Sequence, residues 1–177
     1  MNAPIHIAGL TCQELQQHAT ERLTHGRGVA PRLYKDALRY GRFEPERHGL
    51  AERAVVDWRT HFAFELLEIV RVVSEESETG TTAKAVLKLA DGLECECVLL
   101  PMGRDRATLC VSSQVGCKMG CRFCETARMG LLRSMSASEI VSPLLTARHV
   151  LGWEPGHVLF MGRGGALDPA QLPAGLR

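Results

Sequence analysis

Three stretches in the first third of the chain place apolar residues every three or four positions, which is the period of an α-helix. The first stretch predicts a helix over about residues 12–24, opened by a Thr-x-x-Glu capping box that begins at Thr11. The second predicts a helix over 31–41, and the third predicts a helix that starts near Leu50. We therefore expect residues 1–62 to form a small helical accessory domain.

From Glu65 the apolar pattern becomes typical of strands. Residues 65–74 are rich in Val, Ile and Leu, and residues 83–90 alternate enough to predict a second strand. Asp91 and Gly92 form a two-residue hairpin signal, so residues 93–100 should return antiparallel to the second strand. We expect residues 63–101 to form a β-hairpin extension.

The returning strand alternates in a way that predicts two different faces. One face is expected to carry Cys95, Cys97 and Leu99, and the other to carry Glu94, Glu96 and Val98.

The segment from residue 102 has the order strand, loop, helix, strand. Residues 109–112 predict a parallel strand, and a capping box at Ser136 opens a helix through about Val150, with Ile140, Leu144, Leu145 and Val150 on its buried side. Residues 157–162 then predict a buried parallel strand. This is one βαβ unit, which needs further units to close a core. Residues 167–177 are expected to be an unstructured tail.

Composition is that of a globular protein, with 45% hydrophobic residues in 177 and no apolar stretch near the roughly 18 residues that span a bilayer. The first ten residues lack the basic start and apolar core of a signal peptide. Seven cysteines, an odd number, favour a reducing compartment over a disulfide framework. We expect a cytoplasmic protein without a membrane partner, in which Cys12, Cys95 and Cys97 are small buried apolar residues.

The net charge of +1 offers no global attraction to nucleic acid. Basic residues are nevertheless concentrated between Pro101 and Met135, against two acidic residues; they are Arg104, Arg106, Lys118, Arg122, Arg128 and Arg133. Such a segment can be a solvated face, or it can receive phosphates or a ligand carboxylate.

Three cysteines stand at a C-x3-C-x2-C spacing: Cys117, Cys121 and Cys124. Glycines flank two of them, so a tight loop can turn the three thiolates toward one centre. Three local ligands suit an iron–sulfur cluster that keeps one iron open for a substrate or cofactor. Zinc and uninvolved thiols are the alternatives, although no fourth zinc ligand follows at finger spacing.

Residues 106–117, which include Cys-Val-Ser-Ser-Gln-Val-Gly-Cys at 110–117, resemble the radical S-adenosylmethionine (SAM) RNA methyltransferases that methylate C2 of adenosine. The cysteine spacing with an aromatic residue before the last cysteine, here Phe123, is the signature shared across radical SAM proteins. The resemblance covers roughly residues 65–165. It implies an α/β fold in which a helical accessory domain and a β-hairpin precede the first part of a radical SAM partial (β/α) barrel, at residues 102–166.

The resemblance also implies cofactors, partners and residue roles. A 4Fe-4S cluster on Cys117, Cys121 and Cys124 would receive an electron, from a donor such as flavodoxin, and cleave bound SAM. Glu96 falls on the family's proton acceptor, and Cys110 on the cysteine that resolves an RNA–protein adduct. Taken alone, Glu96 would be a solvated strand residue and Cys110 a buried strand cysteine. Ribosomal RNA, transfer RNA or both would be the substrate.

One motif departs from the family. Gly162, Gly164 and Gly165 are expected to contact SAM, but Gly165 stands where the family has the glutamate that holds the SAM amino group. Losing that charge-assisted hydrogen bond would weaken binding by about 1.5 to 3 kcal/mol.

No cysteine follows Cys124 in the sequence, and the family's later barrel strands and second catalytic cysteine have no counterpart in these 177 residues. We therefore expect a truncated methyltransferase that is not competent alone. A non-catalytic iron–sulfur or RNA-binding remnant, or a gene fragment, is the alternative interpretation.

Overall fold

A computed structural model of the chain describes residues 3–78, 80–103, 106–119 and 121–161. Contacts divide the chain into two compact units, with the boundary between Leu66 and Leu67. The finer domain boundaries expected at residues 62, 101 and 166 stay predictions.

The first unit contains the three predicted helices, and their existence is confirmed. They span Cys12–Arg22 (α1), Ala30–Tyr40 (α2) and Glu52–His61 (α3). Two short strands, Ile5–His6 (β1) and Phe62–Ala63 (β2), pair in parallel and were not predicted. The capping box at Thr11 forms, because its hydroxyl accepts the Glu14 backbone N–H at 3.2 Å while the Glu14 carboxylate accepts the Thr11 N–H at 2.7 Å.

The core of this first unit is organised around Trp58, which is fully buried. Its ring lies 4.9 Å from that of Phe62, centroid to centroid. Its indole N–H donates to the Gly26 carbonyl at 3.2 Å. A buried aromatic ring with its polar atom satisfied explains how three short helices share one core.

The second unit is built on a five-stranded sheet with a helix and a two-stranded ribbon. Its strands span Glu68–Ser77 (β3), Gly80–Lys88 (β4), Glu94–Pro101 (β5), Ala107–Ser112 (β6), Gln114–Gly116 (β7), Leu131–Ser134 (β8) and His157–Met161 (β9). Its helices span Glu125–Arg128 (α4) and Ala137–His149 (α5). The sheet order is β3-β4-β5-β6-β9, with every neighbouring pair antiparallel except the parallel pair β6 and β9. The mixed α/β class and the βαβ unit formed by β6, α5 and β9 are as predicted.

The β4–β5 hairpin forms as predicted, but its turn is longer than the two residues that Asp91 and Gly92 suggested. The Leu89 N–H donates to the Leu93 carbonyl at 2.8 Å, so three residues form the loop. Gly92 has a φ of 83°, which is the left-handed position that such three-residue loops require. The first strand also begins three residues later than predicted, because its pairing with β4 extends through polar residues to Ser77.

One face of the sheet packs into the core of the second unit. The predicted alternation on β5 is confirmed, since Cys95 and Cys97 are buried while Glu94 and Glu96 are exposed. The buried residues of the core are Ala85, Leu87, Leu89, Cys95, Cys97, Leu109, Val111, Val115, Met135, Ile140 and Ala147.

Helix α5 begins at the predicted capping box, where the Ser136 hydroxyl accepts the Glu139 N–H at 3.4 Å. Ile140 and Leu145 are buried as predicted. The prediction for Val150 is wrong, because the helix ends at His149 and the Val150 side chain is 53% exposed.

Strand β9 is parallel to β6 as predicted but is not buried. Val158 and Leu159 are 40% and 44% exposed, because β9 lies at one edge of the sheet among the described residues. Apolar exposure along this strand is therefore present. The predicted tail at 167–177 lies outside the described residues. None of the helices in the described ranges is long and apolar enough to cross a membrane.

Candidate functional site

The face of the sheet opposite the core borders the candidate site. Leu109 and Val111 on β6 point into the core, so Cys110 and Ser112 lie on the other face. On β5, Glu96 and Val98 share that face, since Val98 pairs with Cys110 across the strands. A cavity of about 260 Å³ opens against these residues.

This cavity brings together four of the residues that the sequence singled out: Glu96, Cys110, Cys117 and Cys124. They are far apart in sequence and come from β5, β6 and the cysteine loop. Cys121 is not among the residues that line it. Gly162, Gly164 and Gly165 lie outside the described residues.

The ribbon of β7 and β8 holds both ends of the cysteine loop. The Cys117 N–H donates to the Gly130 carbonyl at 2.9 Å, which closes the loop at its base. Gly116 has a φ of +79°, and a Cβ atom there would collide with the Gly130 carbonyl oxygen. Glycine at this position therefore allows the two backbones to approach closely enough for the loop to start.

Within the loop, Cys117 is buried, whereas Cys121 and Cys124 are half-buried. The Cys124 N–H donates to the Cys121 carbonyl at 3.1 Å, which turns the chain between them. The Phe123 ring is 93% exposed, so packing does not account for an aromatic residue there.

In the ranges that the structure describes, no three His, Cys, Asp or Glu side chains are grouped so that they could hold a metal ion. The donor set itself has the right chemistry, because cysteine thiolates are the usual ligands of iron–sulfur clusters, and three of them leave one iron open. Two of the three thiols already border one cavity. The cysteines therefore fit a cluster by donor type, and holding one requires the three side chains to converge on one point.

Glu96 sits at the rim of the cavity beside a cation. Its carboxylate accepts a hydrogen bond from the Lys84 ammonium at 2.9 Å. Both side chains are partly exposed, so water screens this pair and its contribution to stability is small. The pair orients the Glu96 carboxylate at the site.

Cys95 and Cys97 are kept as neutral thiols by burial. Burial raises the pKa of Cys95 to about 12 and the pKa of Cys97 to about 11. Such thiols are poor metal ligands at neutral pH. Their burial confirms the expectation that Cys95 and Cys97 are small buried residues. Cys12 is half-buried rather than buried. Burial also raises the pKa of Cys110, so any reaction of its thiol needs a group that accepts its proton.

The described basic residues of this segment have different partners. The Arg133 guanidinium donates hydrogen bonds to two carboxylates, those of Glu139 at 2.7 Å and Asp91 at 2.7 Å. It therefore links the hairpin turn to the start of α5. Arg128 pairs with Glu125 at 3.0 Å. The exposed cations beside the cysteine loop include Lys118 and Arg122.

Sequence reasoning missed two residues at this site. Lys84 could have been found from the alternation of β4, where it shares a face with Glu96 across the hairpin. Gln114 belongs to the motif that carried the resemblance, yet nothing in the sequence assigned it a role. Its side chain borders the 260 Å³ cavity and also a neighbouring one of about 400 Å³.

No family model matches the chain. A probable dual-specificity RNA methyltransferase RlmN 1 from Protochlamydia amoebophila is 45% identical over 96 residues, which are 54% of this chain and 26% of that protein. A probable RlmN from a Synechococcus species is 54% identical over 83 residues, which are 47% of this chain and 24% of that protein. A crystal structure of a radical SAM methyltransferase from Sphaerobacter thermophilus matches with a TM-score of 0.73 and 31% identity, over 90% of this chain and 47% of that one.

The fold, which has a cysteine loop at its cavity, is similar to that of a solved radical SAM methyltransferase. Within that class the sequence is related in particular to the dual-specificity RNA methyltransferases of RlmN type, so the resemblance is confirmed. The chain spans about a quarter of the length of these curated relatives.

Proposed function

We propose that this protein acts in methylation of C2 of adenosine in ribosomal RNA, transfer RNA or both, by radical SAM chemistry. One observation carries the proposal: the three-cysteine loop borders a cavity that also presents Glu96 and Cys110. Relatives named as dual-specificity RNA methyltransferases support the RNA substrate. A cytoplasmic location and an electron donor such as flavodoxin are parts of the same proposal.

In this proposal Cys117, Cys121 and Cys124 would hold a 4Fe-4S cluster, with one iron left for SAM. When bound and reduced, the cluster supplies the electron that cleaves SAM. The hydrogen bond between Cys117 and Gly130 fixes the start of the loop. By the resemblance, Gly162, Gly164 and Gly165 would contact SAM.

Glu96 and Cys110 have complementary parts in the proposal. Cys110 is the thiol that resolves an RNA–protein adduct, and Glu96 is the proton acceptor. Both residues border the same cavity. The Lys84 ammonium holds the Glu96 carboxylate at that rim.

The first prediction concerns the cluster. Anaerobic reconstitution should give about four irons per chain and a broad visible absorption, as expected for a three-cysteine radical SAM site. Replacing Cys117, Cys121 or Cys124 with alanine should abolish both signals. Cys12→Ala is the matched control and should retain them, since Cys12 lies in the other unit. Uptake of zinc alone, or iron retained in all three loop variants, would contradict the proposal.

An assay of SAM cleavage then distinguishes the proposed enzyme from the alternative interpretation, a non-catalytic iron–sulfur protein. A reconstituted chain that releases 5′-deoxyadenosine from SAM in the presence of reductant behaves as proposed. A chain that holds the cluster and leaves SAM intact matches a non-catalytic iron–sulfur protein.

A further inference from the structure

Gln114 carries a buried polar atom with no partner. Its side-chain oxygen, Oε1, is inaccessible to solvent and accepts no hydrogen bond from the described residues. Leaving a buried acceptor unpaired costs about 1 to 3 kcal/mol, so native proteins keep few of them. Because the residue also borders a cavity, a rotation of its side chain would bring this acceptor to a donor on a bound ligand.

The strand geometry turns Gln114 toward the site. Val115, the next residue on β7, is buried in the core, so the Gln114 side chain lies on the opposite face. There it borders both cavities, and Glu96 borders both as well. Gln114 therefore stands within the space shared by the proposed proton acceptor and the cysteine loop.

The hydrogen-bonding groups of a primary amide limit the chemical class of ligand that Gln114 can recognise. A carboxamide presents an acceptor and a donor side by side, which match the 6-amino group and N7 of adenine. We propose that Gln114 recognises an adenine base in this cavity, with Oε1 accepting a hydrogen bond from the 6-amino group. The inference rests on the proposed function, in which SAM and the target nucleoside each carry an adenine.

Binding measurements on the reconstituted 177-residue chain test this recognition and identify its source. One arm compares S-adenosylhomocysteine with its analogue that lacks the 6-amino group. The other compares an adenosine-containing oligonucleotide with one that has purine riboside at the same position. Dissociation constants are measured anaerobically by isothermal titration calorimetry.

We expect the wild type to prefer the amino compound roughly tenfold in one of the two arms, as a single well-placed amide contact allows. Gln114→Leu should lose the preference, and Gln114→Glu should keep most of it because a carboxylate oxygen still accepts from the amino group. Gln13→Leu, on an exposed position of α1, is the control and should bind as the wild type does. A preference in the S-adenosylhomocysteine arm means that Gln114 recognises the adenine of SAM. A preference in the oligonucleotide arm means that it recognises the adenosine of RNA.

A second readout separates recognition from a structural role. If Gln114 is reserved for a ligand, the ligand-free Gln114→Leu protein should melt at the same temperature as the wild type or higher, because an unpaired buried acceptor is removed. A Gln114 that supports the fold would instead lower the melting temperature when replaced.

Two results overturn the inference: a preference that survives in Gln114→Leu, or a wild type that prefers the amino compound in neither arm. Iron content is measured on the same samples. Loss of iron from the wild type counts against the proposed function, whereas an iron-loaded protein without amide-dependent binding counts against Gln114 alone.

Discussion

At the scale of single residues, environment separates cysteines that share the same chemistry. Cys95 and Cys97 face the core, where burial raises their thiol pKa values and keeps them protonated. Cys117 and Cys124 border a cavity instead. Strand parity and loop position therefore decide which thiols are available to a metal, although all belong to one short part of the chain.

A second prediction belongs to Gly165, which stands in place of the family's glutamate. Gly165→Glu should tighten SAM binding by roughly tenfold, because a carboxylate facing the SAM ammonium adds a charge-assisted hydrogen bond of about 1.4 kcal/mol. Titration of the reconstituted protein with SAM measures the change. Equal or weaker affinity in the variant would mean that the loop meets the amino group through another contact.

At the scale of elements, the β7–β8 ribbon is what presents the cysteine loop. The ribbon is short, with a register shift between Val115 and Gly116, and the loop starts at the close contact of Gly116 with Gly130. The stability of the loop therefore depends on the close approach of the Gly116 and Gly130 backbones as much as on its side chains.

The third prediction compares two glycines of this ribbon. Both have a positive φ, but a Cβ atom at Gly130 meets nothing within 4 Å, whereas at Gly116 it meets backbone. Gly130→Ala should cost about 1 kcal/mol from conformational strain alone. Gly116→Ala should cost more than about 2 kcal/mol and reduce iron uptake, because the ribbon must also move apart. Chemical unfolding and iron analysis provide the measurement, and equal losses in the two variants would contradict the steric argument.

The fourth prediction concerns the start of α5. Burial alone would raise the pKa of Glu139, but hydrogen bonds from Arg133 and Ser136 and the charge of Arg133 lower it below its ordinary value of 4.5. The resulting stabilisation is complete above about pH 4.5 and is lost as the pH falls through the lowered value. Glu139→Gln should reduce the free energy of unfolding by about 1 kcal/mol at pH 7, and the difference should vanish in acid.

Thermal unfolding of wild type and Glu139→Gln between pH 3 and pH 7 measures this difference. Glutamine can still cap the helix, so the substitution removes mainly the charge. Glu125→Gln is the control, because its pair with Arg128 is highly exposed and should contribute almost nothing. A difference that persists unchanged at pH 3 would rule out the charge as its origin.

At the scale of the whole molecule, the two units have separate cores, and the candidate site lies within the second. The sheet of that unit ends, among the described residues, in β3 on one side and β9 on the other. Strand β3 carries charged side chains along its length, which oppose pairing with another chain. Strand β3 also exposes Val70, Val72 and Val73, but strand β9 exposes Val158 and Leu159 and contains no Asp, Glu, Lys or Arg.

The fifth prediction follows from that exposed edge. The purified 177-residue chain should associate with itself as its concentration rises, because an apolar edge strand is a template for pairing. Leu159→Lys should shift the protein toward the monomer in analytical ultracentrifugation. Val56→Lys, which changes a valine on α3 that is 57% exposed against 44% for Leu159, should have no such effect. A monomeric wild type at high concentration would contradict the prediction.

Local sequence patterns were enough to predict many of the helices and strands of this protein. Capping boxes at Thr11 and Ser136 located two helices to within two residues, because a cap bonds to residues in its own first turn. The two faces of β5 also followed from alternation. The resemblance over residues 106–117 predicted the similarity to these RNA methyltransferases, since that motif combines several residue types at constrained spacing.

Other features required the tertiary structure, because they depend on contacts between distant parts of the chain. The exposure of β9 depends on which strand lies beside it, and the late start of β3 depends on its register with β4. The meeting of Glu96, Cys110 and Cys117 at one cavity depends on the pairing of β5 with β6. The sequence alone determined the donor chemistry and the local elements; tertiary packing decided which side chains share a space and left the Gln114 oxygen without a partner.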